Sequence, residues 1–113
     1  MITVNTISKQ IKTCQGDSFY TYFQIKGYKL NGDETITFSV RKTIDGTTSP
    51  IVSERCDIDI RNNIICVYVA QNKMSSLKIG EYYYDISLKR PDGFHISLTN
   101  ASKLFVLGVA HND

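Results

Sequence analysis

The 113-residue chain is 42% hydrophobic and 21% charged at a formal net charge of +2, the profile of a globular protein with one core and no room for a second. Its basic residues, Lys9, Lys12, Lys26, Lys29, Arg41, Lys42 and Arg55 among them, are interleaved with acids and hydroxyls, so the positive stripe that phosphate binding needs is missing. No apolar run approaches the roughly 18 residues of a membrane helix, and the start MITVNTISKQIKTC lacks the basic and apolar blocks of a secretion signal. Neither nucleic acid nor membrane is therefore an expected partner.

In chain order, Gly16-Asp17 reads as a turn entering an alternating strand, DSFYTYFQIK (17–26). Phe19, Phe23 and Ile25 share one face there with Thr21, and Tyr20, Tyr22 and Gln24 the other. ETITFSVRK (34–42) sets Ile36, Phe38 and Val40 against Thr35, Thr37, Ser39 and Arg41. NNIICVYVA (62–70) is apolar on both faces, with Ile65, Val67 and Val69 on one and Cys66 and Tyr68 on the other, as expected of a central strand or one covered by a partner. QNKMSSLK (71–78) alone has helical character and is too short for more than about two turns. EYYYDISLK (81–89) alternates Tyr82, Tyr84, Ile86 and Leu88 against Tyr83, Asp85 and Ser87. FHISLT (94–99) and KLFVLGV (103–109) form one long terminal strand, or two, broken near Asn100 and Ala101.

Turn chemistry separates these runs at NGDE (31–34), DGTTSP (45–50), RNN (61–63) and RPDG (90–93), the last being a hairpin signal. About seven strands at roughly 8–15 residue spacing predict an all-β antiparallel sandwich over 1–113. The three cysteines, Cys14, Cys56 and Cys66, are an odd number with no signal peptide, so free, buried or half-buried thiols are expected.

A sandwich needs a fixed corner where the chain crosses between sheets. In immunoglobulin-like folds a tyrosine early in the following strand bonds back to upstream backbone. Gly80-x-Tyr82-x-Tyr84 after the helical turn matches that corner. Tyr82 is then the corner residue, Tyr83 points outward, and Tyr84 stands where antibody-type domains carry their second cysteine. Phe23 takes the opposing core position and Phe38 joins the core. Aromatic packing replaces the inter-sheet disulfide, and the chain has no tryptophan.

Taken together, QGDSFYTYFQI, the TITFSVRKT strand, VYVAQNKMSSLKIG, EYYYDISLKRPDG and the closing KLFVLGV resemble a family of small Ig-like phage and prophage proteins. The chain is similar to the N-terminal domain of baseplate upper proteins and to related virion-associated domains over almost its whole length. It departs from them at KGYKLNGDE, before the third strand, and in the tail GVAHND. The resemblance implies a non-enzymatic structural protein of a tail, baseplate or capsid decoration. It implies no catalytic residues and no cofactor or metal. The implied partners are other virion subunits or copies of itself, and the implied location is the virion, assembled in the host cytoplasm.

Three groups of residues bear on activity. Asp57 and Asp59 present oxygens at alternating positions, but the glycine turn and later glutamate of a calcium loop are missing, so an edge-strand face is expected. His95 and Asp85 could meet across the hairpin near Ser87 or Ser97, yet no strained nucleophile elbow accompanies them. Tyr20, Tyr22 and Tyr28, with Tyr83, form the candidate interface, because exposed tyrosines give large amphipathic contact area. The same rings could stack on a host-surface glycan in a carbohydrate-binding or adhesion module. Packing along lysine stems is the plainer use of such residues.

Overall fold

The computed structural model describes residues 9–44, 49–99 and 102–108. Nine strands and one helix are found among them, in the order β1 (Ile11–Cys14), β2 (Phe19–Gln24), β3 (Thr35–Arg41), β4 (Val52–Arg55), β5 (Asp57–Asp59), β6 (Ile64–Val69), α1 (Gln71–Met74), β7 (Gly80–Lys89), β8 (His95–Ser97) and β9 (Ser102–Leu107). The larger sheet runs β1-β9-β7-β3-β4, with β8 also paired to β7, and the smaller runs β2-β6-β5. β1 joins β9 in parallel, and the other pairs are antiparallel. The two sheets make an Ig-like β-sandwich. No helix among the described residues is long and apolar enough to cross a membrane.

Two breaks raise the strand number above the expected seven. At Cys56 the chain leaves one sheet for the other: β4 pairs with β3, the Cys56 amide still donates to the Ile36 carbonyl at 2.7 Å, and β5 then pairs with β6. After β8, the Thr99 hydroxyl accepts the Ile86 amide at 3.0 Å, so a side chain takes the place of a ladder carbonyl. The predicted break at Asn100 and Ala101, most of the 45–50 turn and all but Gly108 of the tail lie outside the described residues.

The core follows the period of two. Phe19, Phe23, Ile65, Val67 and Val69 from the small sheet face Ile36, Phe38, Val40, Tyr82, Tyr84, Ile86 and Leu88 from the large one, and all are buried. The aromatic rings link the layers: Phe19–Phe38 lie 5.9 Å apart between centroids, Phe38–Tyr84 5.6 Å and Phe23–Tyr84 6.4 Å. Rings at these separations fill the space an inter-sheet disulfide would span and add attraction beyond area burial. Tyr84 also donates its hydroxyl to the Lys9 carbonyl, which ties the chain ahead of β1 to the core.

The helix and its exit place the corner. Met74 and Leu77 are buried beneath α1, and the chain turns into β7 at Gly80 (φ 154°). Tyr82 then donates to the Lys78 carbonyl at 2.7 Å, and the Lys42 ammonium sits 4.6 Å from its ring centroid. At the far end of β7 the Arg90–Gly93 turn is closed by the Gly93 amide on the Arg90 carbonyl at 3.0 Å. Gly93 holds φ 94°, where a side chain would strain the backbone.

Side chains pin the loop between β2 and β3. Asn63, at φ 56°, donates from Nδ2 to the carbonyls of Ile25 (2.7 Å) and Tyr28 (2.8 Å) and accepts the Leu30 amide on Oδ1 (2.8 Å). Glu34, fully shielded from solvent, accepts the amides of Asn31 and Gly32 and the Tyr28 hydroxyl, all between 2.8 and 3.1 Å. Burial pulls its carboxyl upward, but the amides of Asn31, Gly32 and Glu34 and the Tyr28 hydroxyl outweigh this and hold its pKa below the usual value.

Candidate functional site

The outer face of the small sheet is built by alternation on β2 and β6 and by their register. Phe19 and Phe23 point inward, so Tyr20, Tyr22 and Gln24 point out. On β6 the same rule sends Cys66 and Tyr68 outward. Tyr20 lies directly opposite Tyr68, Tyr22 opposite Cys66, and Gln24 opposite Ile64. β5 extends the rows, with Asp57 beside Cys66 and Asp59 beside Ile64. The three rings are 63%, 60% and 55% exposed at Tyr20, Tyr22 and Tyr68, so they form one wet aromatic surface. The neighbouring Cys66 thiol raises the Tyr20 phenol above its ordinary pKa, with smaller contributions from desolvation, Tyr22 and Asp57.

The expected interface group is only partly brought together. Tyr20 and Tyr22 share this face, but Tyr83 does not. Tyr83 is half-buried on the outer side of the large sheet, paired with Lys103 on β9 and Arg41 on β3. Tyr28 is also apart, its hydroxyl committed to Glu34 at 3.0 Å. The third tyrosine of the face is Tyr68. Its outward position is legible in the β6 alternation, but its place opposite Tyr20 depends on a pairing 48 residues away in sequence.

The other groups resolve into structural roles. Asp59 accepts the Asn62 amide (3.2 Å) and side chain (2.9 Å), and these bonds hold its carboxyl below the ordinary range. It thus closes the β5–β6 turn. His95 lies opposite Lys89 and Ser97 opposite Ser87, whereas Asp85 lies opposite Ser39 and forms an ion pair with Arg41. The His–Asp juxtaposition therefore does not form. Among the described residues no three His, Cys, Asp or Glu side chains cluster to hold a metal ion.

A shallow cleft of about 440 Å³ opens beside β5, lined by Gly32, Arg55, Cys56, Asp57, Ile58 and Ile60. Burial, with Asp57 and Cys66 adding, pushes the Cys56 thiol up to about 12. It is a protonated core group at neutral pH, since nucleophilic attack needs the thiolate.

No family model and no curated protein matches the chain. Among solved structures, a candidate glycoside hydrolase from Bacteroides vulgatus ATCC 8482 aligns at 15% identity and TM-score 0.49, covering 89% of this chain. The chain spans 17% of that protein's length. The NK cell receptor Nkp44 aligns at 12% identity and TM-score 0.46, covering 92% of this chain and 100% of the receptor.

Proposed function

We propose that this domain is a non-enzymatic assembly module of a phage or prophage particle, in a tail, baseplate or capsid decoration, built into the virion in the host cytoplasm. It works by burying the tyrosine face of its small sheet against a neighbouring subunit. The observation that carries this reading is the adjacency of Tyr20, Tyr22 and Tyr68 in register, each more than half exposed. At roughly 150–250 Å² per ring, three rings exposed to this degree offer about 300–400 Å² of contiguous aromatic surface. That is the size of a functional patch rather than of scattered surface apolars. The sequence resemblance to virion-associated domains supplies the kind of particle.

One observation favours a second reading. The Gln24 amide and the Asp57 carboxylate border the rings, and polar groups beside an aromatic platform suit a host-surface glycan. Rings standing open on a strand face, each more than half exposed, suit a protein neighbour better than a sugar, which needs a groove.

The test is co-sedimentation of the chain with particles purified from an infected or induced host, read by peptide mass spectrometry. Stoichiometric recovery in the particle supports assembly. Recovery in the soluble fraction alone overturns it, and a glycan panel then tests the second reading.

A further inference from the structure

We infer that β2 is a self-complementary edge through which two copies of the chain join into one continuous sheet. This names the partner within the assembly reading above and rests on it. Among the described residues five strands have a neighbour on one side only; β8 is blunted by its three-residue length, and three others carry charges that discourage edge pairing: Lys12 on β1, Glu54 and Arg55 on β4, Asp57 and Asp59 on β5. β2 is different. It has six residues, FYTYFQ, with no charge and no proline, and among the described residues it has a neighbour on one side only.

The sequence of that edge also specifies what covers it. Phe19-Tyr20-Thr21-Tyr22-Phe23 is a palindrome about Thr21. In a two-fold contact, residue i meets j and j meets i. A dyad at Thr21 thus sets Tyr20 opposite Tyr22 of the second copy, Phe19 opposite Phe23, and Thr21 opposite itself. Like faces meet throughout: tyrosines on the wet side, phenylalanines on the core side. A slip of one residue would oppose Tyr20 to Phe23 and put a wet face against a core face, which a continuous sheet forbids. A slip of two keeps the faces but trades the two Tyr–Tyr pairs for one, with Tyr20 against Gln24.

The backbone agrees. The Ile25 amide donates to Asn63 at 2.9 Å, toward β6. Because antiparallel strands alternate, odd residues of β2 bond β6, while Tyr20, Tyr22 and Gln24 turn their amides and carbonyls to the open edge. Those are the residues that the Thr21 dyad pairs. Beyond the strand ends, the same register sets Asp17 of one copy level with Ile25 of the other, so no like charges are brought opposite each other there. The joined sheet would run β5-β6-β2 and then β2-β6-β5 of the second copy, carrying six tyrosines on one face. A contact this small belongs with interfaces below about 1,200 Å², so association is weak and concentration-dependent.

The test is sedimentation velocity of the full chain over a wide concentration range, with three variants. The wild type is expected to approach twice the monomer mass at high concentration. Tyr20→Lys/Tyr22→Lys, on two exposed positions, is expected to keep its circular dichroism and stay monomeric. Thr21→Cys is expected to oxidise to a dimer whose linked peptides join position 21 to position 21. A wild type that is monomeric throughout, or a dimer that survives the double lysine change, overturns the inference. So does self-linkage of Tyr22→Cys in place of Thr21→Cys. Particle incorporation separates the two readings. A monomeric wild type that still enters particles, and loses entry on the double change, keeps the assembly reading and assigns the edge to another subunit. A dimer absent from particles keeps the edge and overturns the assembly reading.

Discussion

Asn63 is the residue whose loss tests the fold most sharply, because one side chain holds three backbone groups that are 33 to 38 positions away. Asn63→Ala removes all three bonds, and at about 1 kcal/mol net each that is about 3 kcal/mol. The Leu30 amide suffers most, since Leu30 is buried and its amide donates to the Asn63 side chain. Alanine at φ 56° adds about 1 kcal/mol, a conformation that asparagine and glycine tolerate. Water entering the half-buried site offsets part of this, leaving about 3 kcal/mol for Asn63→Ala and about 2 kcal/mol for Asn63→Gly. Asn63→Asp separates the bonds themselves. Its carboxylate can still accept the Leu30 amide, but it meets the Ile25 and Tyr28 carbonyls as one acceptor against two. It is expected to be no milder than glycine. The assay is urea unfolding by far-ultraviolet circular dichroism and tyrosine fluorescence, which no tryptophan masks. An Asn63→Ala loss within about 1 kcal/mol of wild type would refute the pin. A glycine variant weaker than the alanine variant would refute the role of φ.

Three further outcomes follow from the same geometry. Tyr82→Phe is expected to cost about 1 kcal/mol in the same unfolding assay, through the lost bond to the Lys78 carbonyl, and an unchanged midpoint would remove the corner's energetic role. Tyr84→Ala is expected to cost about 3–5 kcal/mol as a buried aromatic truncation, whereas Tyr83→Ala, next to it on the outer face, is expected to cost under about 1 kcal/mol. Comparable losses at the two positions would show the faces of β7 to be misassigned. Glu34 has a lowered pKa in the folded state, so its charge stabilises the fold above the unfolded carboxyl value of about 4.3, and that contribution fades as pH falls through the folded value. Glu34→Gln is expected to be less stable than wild type at pH 7, with the gap narrowing toward acid, and a gap independent of pH would exclude the carboxylate as its source.

Strand faces were legible in the sequence because alternation is local. Phe19 and Phe23 against Tyr20 and Tyr22, and Tyr82 and Tyr84 against Tyr83, are each decided within a few residues. The corner was legible for the same reason, since Tyr82 reaches back only to Lys78. Parity along a strand does not say which sheet the strand joins. Tyr83 therefore looked like a companion of Tyr20 and Tyr22, though β7 lies in the other layer. Tyr68 shares their face through a pairing that no local pattern encodes. Asn63 and Glu34 read as turn residues, and their sequence neighbourhoods carry no sign of the amides and carbonyls they hold. The division of the β4–β5 region at Cys56 was hidden in the same way, because the change of partner from β3 to β6 depends on strands far apart in the chain.

The two outer faces of the sandwich differ in what burial would do to them. Around Tyr83 the large sheet carries paired charges: Arg41 with Asp85, and Lys103 with Glu81 at 2.9 Å, each partly exposed. Covering such pairs removes water from four ions at once, and their mutual attraction often fails to offset that cost. On the small sheet, none of the four ion pairs found among the described residues lies on the tyrosine face. Burying Tyr20, Tyr22 and Tyr68 takes apolar ring surface out of water while each hydroxyl can turn to a partner or the rim. A neighbour seated over the three rings that leaves Asp57, at the β5 end of the face, in water is thus favoured, and one covering the large sheet is disfavoured. The uncharged β2 edge borders the favoured face, so a second copy joined there would enlarge the aromatic surface without bringing any ion under cover.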